Sequence, residues 1–264
     1  MAAGAVGDEL PTSLDVATKL GTLEEGRWVL GLYVGAAEAG GTFQSAAKRK
    51  PVDRGRRGEA RDPERSAEQA TRRAGTSIRR YAAANRLNRL GTLTYAAACH
   101  DQEQLRDDVA EFFRNLREFV GEPFPYLWVP EWHPGGHGLH VHFAVGRYIR
   151  HGQIKAAWGR GFVHIKLLGD IPIGHGSLGE ARQAARYLAK YVGKDLDDHR
   201  ILGLHRYECA QGFRPEVERI VARSSSAAME EASERMGAWP SIVWRSREAE
   251  LWYGPPAVWA SWDL

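Results

Sequence analysis

The alternation of apolar and polar positions divides the chain into strands and helices in mixed order. Trp28–Val34 reads as a strand after a poorly ordered leader over 1–26, and residues 36–64, rich in Gly, Arg and Pro, read as a linker or arm. Glu64–Leu90 is helix-prone and carries Arg72, Arg73, Arg79, Arg80, Arg86 and Arg89 along an exposed side. Gly91–Ala96 has strand character. Gln102–Val120 repeats apolar residues at helical spacing, with Leu105, Val109, Phe112, Phe113 and Leu116 inward. Tyr126–Trp132 and Leu139–Gly146 are β-rich runs separated by a Pro134-Gly135-Gly136 turn, which predicts a hairpin. A short helix near Gly152–Trp158, a strand at Phe162–Leu168 and a helix over Leu178–Gly193 follow. Residues 201–264 read as an extension with a helix at Pro215–Arg235. Five of the nine tryptophans fall in its last 26 residues, which predicts a packed tail. No internal repeat is present. The pattern predicts an α/β (α+β) fold, a two-layer sandwich with a central antiparallel sheet and flanking helices. It divides into a leader and basic arm (1–75), a central domain (76–200) and a Trp-rich extension packed on it (201–264).

The hairpin holds the most informative residues. Side chains alternate along a strand, so His140 and His142 share one face while Leu139, Val141, Phe143 and Val145 share the other. Closing the hairpin about the Gly135 peptide sets Glu131 directly opposite His140. Opposed residues have Cβ atoms ~4.5–5.5 Å apart, and the diagonal neighbour His142 lies at ~7–8 Å. One carboxylate and two imidazoles then converge, three ligands for a divalent ion with positions left open for a substrate. A slip of one residue would remove Glu131, so the carboxylate depends on register more than the histidines do. Ordinary strand histidines are the competing reading. His133 and His137, in the turn, are either outer contacts of this site or simply exposed.

In the helix over Leu178–Gly193, and one residue past its end, Tyr187, Lys190, Tyr191 and Lys194 fall on one stripe. Ala181, Ala184, Ala185, Leu188 and Val192 form a second stripe, small enough to bring the helix close to the sheet. A tyrosine has a pKa near ~10 and needs a nearby cation to act as a nucleophile. Lysine one turn away can stabilise phenolate or phosphate charge. A surface helix with half-buried tyrosines and snorkelling lysines has the same pattern.

Composition narrows the class. Apolar residues make up 43% of the chain, enough for a buried core, and no run approaches the ~18 apolar residues of a membrane span. The first residues lack the basic flank and apolar core of a secretory signal. Cys99 and Cys209 are far apart and form no CxxC pair, so a reduced, cytoplasmic protein is expected. Net charge is only +3, but Ser45–Arg80 holds 12 Lys or Arg against 5 Asp or Glu. That excess fits a polyanion partner and a solvated linker equally well. Lysine is scarce, 7 residues against 29 arginines, yet Lys190 and Lys194 both lie on or beside the tyrosine helix.

Taken together, these residues resemble the HUH endonuclease superfamily, and within it the rolling-circle replication initiators of bacterial plasmids and small phages. Thr92-Leu93-Thr94-Tyr95 resembles the Thr-rich first motif. His140-Val141-His142 matches the second, with Glu131 placed like the upstream acidic ligand, and Tyr187-Leu188-Ala189-Lys190-Tyr191 matches the third. The resemblance covers about Thr92–Asp195. The run from Arg79 to Leu87 and the tail Tyr253–Pro256 are similar to initiators of actinobacterial plasmids and integrative elements. The resemblance implies the HUH fold and a divalent metal, Mg²⁺ or Mn²⁺, held by Glu131, His140 and His142. It further implies attack by Tyr191 or Tyr187 on single-stranded origin DNA, leaving a 5′-phosphotyrosine and a free 3′-OH; Tyr191 is favoured for the first attack. Lys190 and Lys194 would support the charge. Thr92 and Thr94 would contact DNA, support the metal site or merely serve as core strand, and Arg79, Arg80 and Arg86 would contact DNA.

No GxxxxGK[ST] loop is present, so strand separation is expected from a host helicase, with a host polymerase extending the 3′ end. A transposase or relaxase with the same metal site is an alternative, although a relaxase carries its tyrosine near the N-terminus. A non-catalytic DNA-binding regulator is another, but binding alone has no need of the full Tyr, Lys, Glu and His set. A zinc hydrolase would show HExxH or a Cys cluster, and neither occurs.

Overall fold

The computed structural model describes residues 26–46, 62–133, 135–167, 176–194, 206–250, 252 and 254–263. The leader, most of the basic arm and Tyr253 of the tail motif lie outside them. In chain order the first elements are β1 (Gly26–Tyr33), β2 (Glu38–Ser45), α1 (Pro63–Ala84), β3 (Arg89–Tyr95) and α2 (Gln102–Val120). Next come β4 (Tyr126–Trp132), β5 (Leu139–Val145), α3 (His151–Trp158), β6 (Gly161–Leu167) and α4 (Gly176–Lys194). The last are β7 (Glu208–Cys209), β8 (Glu218–Ala222), α5 (Ser225–Met236), β9 (Ile242–Arg245) and β10 (Ala257–Ser261). The fold is α+β with helices flanking antiparallel sheets, as the pattern predicts.

Two compact units form. The larger, residues 33–38 and 54–217 with the last two residues, is built on a sheet of order β6-β3-β5-β4-β7 in which every pairing is antiparallel. Its two faces bury different residues because side chains alternate. On one face Leu93, Leu139, Val141, Phe143 and Val145 pack with Leu105, Val109, Phe112, Phe113 and Leu116 of α2 and with Trp158 of α3. The ring of Phe112 sits edge-on to Phe143 at 5.4 Å and to Trp158 at 6.1 Å. Helix α2 starts where Asp101 accepts hydrogen bonds from the Glu103 and Gln104 amides, and stops at Gly121 in the left-handed region. On the other face Leu90, Leu127, Val129 and Ala144 pack with Ala74, Ile78, Tyr81 and Ala82 of α1 and Ala184, Ala185, Leu188 and Val192 of α4. The small residues of α4 therefore do bring it against the sheet. A boundary at 75/76 falls within α1, whose apolar stripe runs through Ala74 and Ile78 without a break.

Among the described residues, the smaller unit joins 26–32 and 39–46 to those between 218 and 262 around a sheet of order β8-β1-β2-β10-β9. The extension over 201–264 is thus divided between the two units at 217/218. Three elements here differ from the sequence pattern. Residues 38–45, read as linker, form β2, and its glycine pair has a packing cause: a Cβ on Gly41 would lie 2.0 Å from the Val29 carbonyl oxygen. The helix expected at Pro215–Arg235 is a strand followed by a shorter helix. Ile220 is fully buried and pairs with Leu30, while the Ser224 hydroxyl accepts the Ala227 amide and resets the helix start. Of the clustered tryptophans, Trp262 is buried and donates to the Ala238 carbonyl, whereas Trp239 and Trp252 are exposed. The long helix also ends early, at Ala84, and Arg86 turns the chain with φ 53° before β3 begins.

Gly91 marks where the larger core is tightest. A Cβ there would come within 2.2 Å of the Phe143 ring and 2.8 Å of Ile165. Phe143 cannot swing away cheaply, since Phe112 and Phe113 enclose it. Gly91→Val should lower the free energy of unfolding by about 1–3 kcal/mol, the usual cost of overpacking, read from urea denaturation. Wild-type stability in that variant would show that the ring moves aside freely.

Candidate metal centre and tyrosine pair

The centre is made by strand register. β4 and β5 pair with Glu131 opposite His140, the alignment that closing the hairpin about Gly135 implies. His133 N–H donates to the Gly138 carbonyl and Leu139 N–H to the Cys99 carbonyl, which fixes the end of the hairpin. One carboxylate oxygen, Glu131 Oε2, lies 2.9 Å from His140 Nε2 and 2.6 Å from His142 Nε2. All three residues are buried, on the sheet face that α4 covers.

A third strand completes the arrangement. Thr92 pairs with His142 across β3 and β5, and its Oγ1 lies 3.1 Å from His142 Nδ1. That contact leaves Nε2 as the nitrogen facing Glu131. An imidazole that donates its other N–H to an outer oxygen is held in one tautomer and orientation, the usual support for a metal-binding histidine. Thr94 pairs with His140, and its carbonyl accepts the Trp158 indole N–H at 3.1 Å, which ties this strand to the aromatic core. The turn histidines also approach: the His133 ring is edge-on to His140 at 5.3 Å and meets His137 at 5.0 Å.

Three ligand atoms within 4.8 Å of one another, one carboxylate oxygen and two imidazole nitrogens, fit a divalent cation. The carboxylate also lies within hydrogen-bonding distance of both imidazoles, so these buried polar atoms are not left without partners.

Helix α4 places both tyrosines against this centre. The Tyr191 ring stacks on His142 with centroids 3.9 Å apart and planes 17° from parallel. Tyr187 is edge-on to His142 at 6.0 Å and to Tyr191 at 5.1 Å. Tyr187 is partly exposed and Tyr191 more enclosed. Burial, the hydrogen bond with Tyr187 and the nearby charges of Tyr187 and Glu131 push the Tyr191 phenol well above its ordinary range. Lys190 is exposed on the same stripe, and the side chain of Lys194 lies outside the described residues.

The arginines are placed differently. Arg79 and Arg80 converge on Glu38, with Arg79 Nε at 2.7 Å and Arg80 Nε at 2.8 Å from its two oxygens. Arg80 also stacks over the Tyr33 ring at 4.0 Å. Arg86 donates to the Gly35 and Ala83 carbonyls. All three, expected to lie exposed, are half-buried: a buried carboxylate about forty residues upstream draws the first two guanidiniums, and backbone carbonyls take the third. Arg72 and Arg73, one to two turns earlier, are exposed.

Two features of the site escape the sequence pattern. The Thr92–His142 contact needs the β3–β5 pairing, which spans 50 residues. The Tyr191–His142 stack needs α4 docked on the sheet. The alanine stripe was the signal for the docking, without the rotation that fixes which ring touches which.

Residues 88–196 match the model of a family of replication-associated proteins, the ORF2 type. The matched stretch contains the three candidate metal ligands, both threonines, both tyrosines and both lysines; Arg79, Arg80 and Arg86 precede it. Comparison with curated proteins and with solved structures yields no match.

Loss of the outer oxygen should be felt at the centre. Thr92→Val should weaken Mn²⁺ binding by about 10–100-fold in calorimetric titration while the fold persists. His140→Ala combined with His142→Ala should remove binding. Unchanged Mn²⁺ affinity in the double variant would show that the three residues are not a metal site.

Proposed function

We propose that this chain, whose residues 88–196 match the replication-associated protein family, initiates rolling-circle replication by nicking single-stranded origin DNA with a tyrosine. One observation carries the reading: the ring of Tyr191 stacks at 3.9 Å on His142, a candidate metal ligand. Thr92 on one nitrogen and Glu131 on the other hold that imidazole in a fixed orientation beneath the phenol.

Glu131, His140 and His142 would hold Mg²⁺ or Mn²⁺, which when bound polarises a phosphate oxygen. The chain's own residues do the rest. Thr92 fixes the His142 ring. Tyr191, once deprotonated, attacks the scissile phosphorus; the Oη–P bond forms, the P–O3′ bond breaks, and the O3′ leaving group takes up a proton. The product is a 5′-phosphotyrosine and a free 3′-OH. Rejoining is the reverse displacement by a 3′-OH, so the phosphoester energy is kept rather than lost to water. Tyr187, hydrogen-bonded to Tyr191, would make the second attack when a round ends. Lys190 balances charge on the same helix face. Lys194 is assigned the same role from its place on the stripe.

Backbone contacts to origin hairpin or duplex would fall first to exposed Arg72 and Arg73 of α1, with Arg86 and the Arg79–Arg80 pair, partly neutralised by Glu38, behind them. A host helicase opens the duplex, a host polymerase extends the 3′ end, and the reaction takes place in the bacterial cytoplasm. No helix among the described residues is long and apolar enough to cross a membrane.

The test is an adduct stable in SDS, formed on labelled single-stranded origin DNA with Mn²⁺ and absent in EDTA. Each single variant, Tyr187→Phe and Tyr191→Phe, should form some adduct and fail chiefly in the transfer that releases a closed circle. The double variant should form none. If every adduct maps to Tyr191 and Tyr187→Phe completes rounds normally, one tyrosine suffices. Full activity in EDTA would refute the metal-dependent reading.

A further inference from the structure

Among the described residues, the edge strand β6 pairs with β3 alone in its sheet. Val163 and Ile165 point to the aromatic core, so Phe162, His164 and Lys166 lie on the opposite face. Their partners on β3 are Thr94, Thr92 and Leu90 in turn, which puts them on the same face as the metal centre. All three are exposed, and Phe162 is 72% exposed.

Beside this strand runs a groove of about 430 Å³. Thr92, His164 and Lys166 line its sheet side, and Arg186, Tyr187 and Lys190 of α4 line the other. Among the described residues no carboxylate lines it. In a chain with 7 lysines, two face this one groove. At one side it reaches Tyr187, whose ring approaches His142. Phe162 is the next same-face position beyond His164, ~6.6 Å further along the strand. A single exposed phenylalanine would mean little by itself. Aligned with an imidazole, three cations and the tyrosine, it has the composition of a single-strand track: rings for stacking and cations for phosphates.

We infer that β6 and the facing side of α4 bind the nucleotides that flank the scissile phosphate. Lys166, Arg186 and Lys190 hold backbone phosphates, and Phe162 and His164 stack bases. The inference rests on the reading of this site as one that acts on single-stranded DNA. Stacking and phosphate contacts do not read base edges, so the track is tolerant of sequence and leaves origin choice to other contacts.

The experiment is fluorescence anisotropy of the full chain with fluorescein-labelled oligo(dT) of twenty nucleotides, without divalent metal so that nothing is cut. Phe162→Ala should weaken binding on the order of tenfold, and Phe162→Trp should keep it. Lys166→Gln and Arg186→Gln should each flatten the plot of log affinity against log salt by about 0.7, one phosphate contact apiece. Phe119→Ala, which removes an exposed ring of α2, should bind as wild type. The substituted side chains are exposed, so each variant should melt with the wild-type protein. Wild-type affinity and salt slope in Phe162→Ala and Lys166→Gln would overturn the inference, as would absence of oligo(dT) binding by the wild-type chain. Adduct formation on origin DNA is scored separately. A wild-type adduct alongside unaffected track variants would leave the nicking reading standing and remove only the track.

Discussion

The pairing of Glu131 with His140 is the constraint on which the rest depends. Strand side chains alternate with a period of two, so a shift of one residue would turn the carboxylate to the aromatic core and leave the imidazoles without it. Three independent features hold the register. Leu139, Val141 and Phe143 are buried against α2 and α3 and cannot be exchanged for histidines. Thr92 meets His142 from a third strand. Gly138, at φ 78°, lies so close to Cys99 that a Cβ would approach its carbonyl oxygen to 2.4 Å, and the Leu139 amide donates to that same carbonyl. Only glycine fits there without strain, which fixes where β5 begins.

A buried carboxylate with two imidazoles carries a desolvation cost, and mutual hydrogen bonding offsets it. The same carboxylate also bears on the Tyr191 phenol. Burial contributes most to keeping Tyr191 protonated, followed by its contacts with Tyr187, and Glu131 adds repulsion between like charges. A cation sharing the carboxylate would reverse the last contribution. Tyr191 and the candidate metal ligands are therefore coupled through Glu131 as well as through the ring stack.

Much of this was legible in the sequence where contacts are local. The hairpin, its register, the inward stripe of α2 and the two stripes of α4 all follow from spacings of two and 3.6 residues. What was not legible required partners distant in the chain. Glu38 lies 41 residues before Arg79, and nothing near those arginines shows that a buried carboxylate neutralises them. The Gly40-Gly41 pair of β2 reads as linker composition because a glycine chosen for close approach to Val29 looks the same as one chosen for flexibility. The strand β8 is five residues long, too short for its alternation to stand out beside the helix-forming run that follows.

The division of labour on α4 follows from the same geometry. Ala181, Ala184, Ala185 and Leu188 are all buried and offer little side-chain volume to absorb a shift, so the helix is held at short range from the sheet. Tyr187 and Tyr191 are one turn apart on the adjoining stripe, and both rings touch the same imidazole. On the proposed nicking reading, a second strand transfer would need only an exchange of which phenol lies toward the phosphate, a change of side-chain torsions with the helix in place. Two tyrosines on separate elements would have to be brought to one phosphate by moving backbone. The alanines that dock the helix would then be as much a condition of that chemistry as the tyrosines.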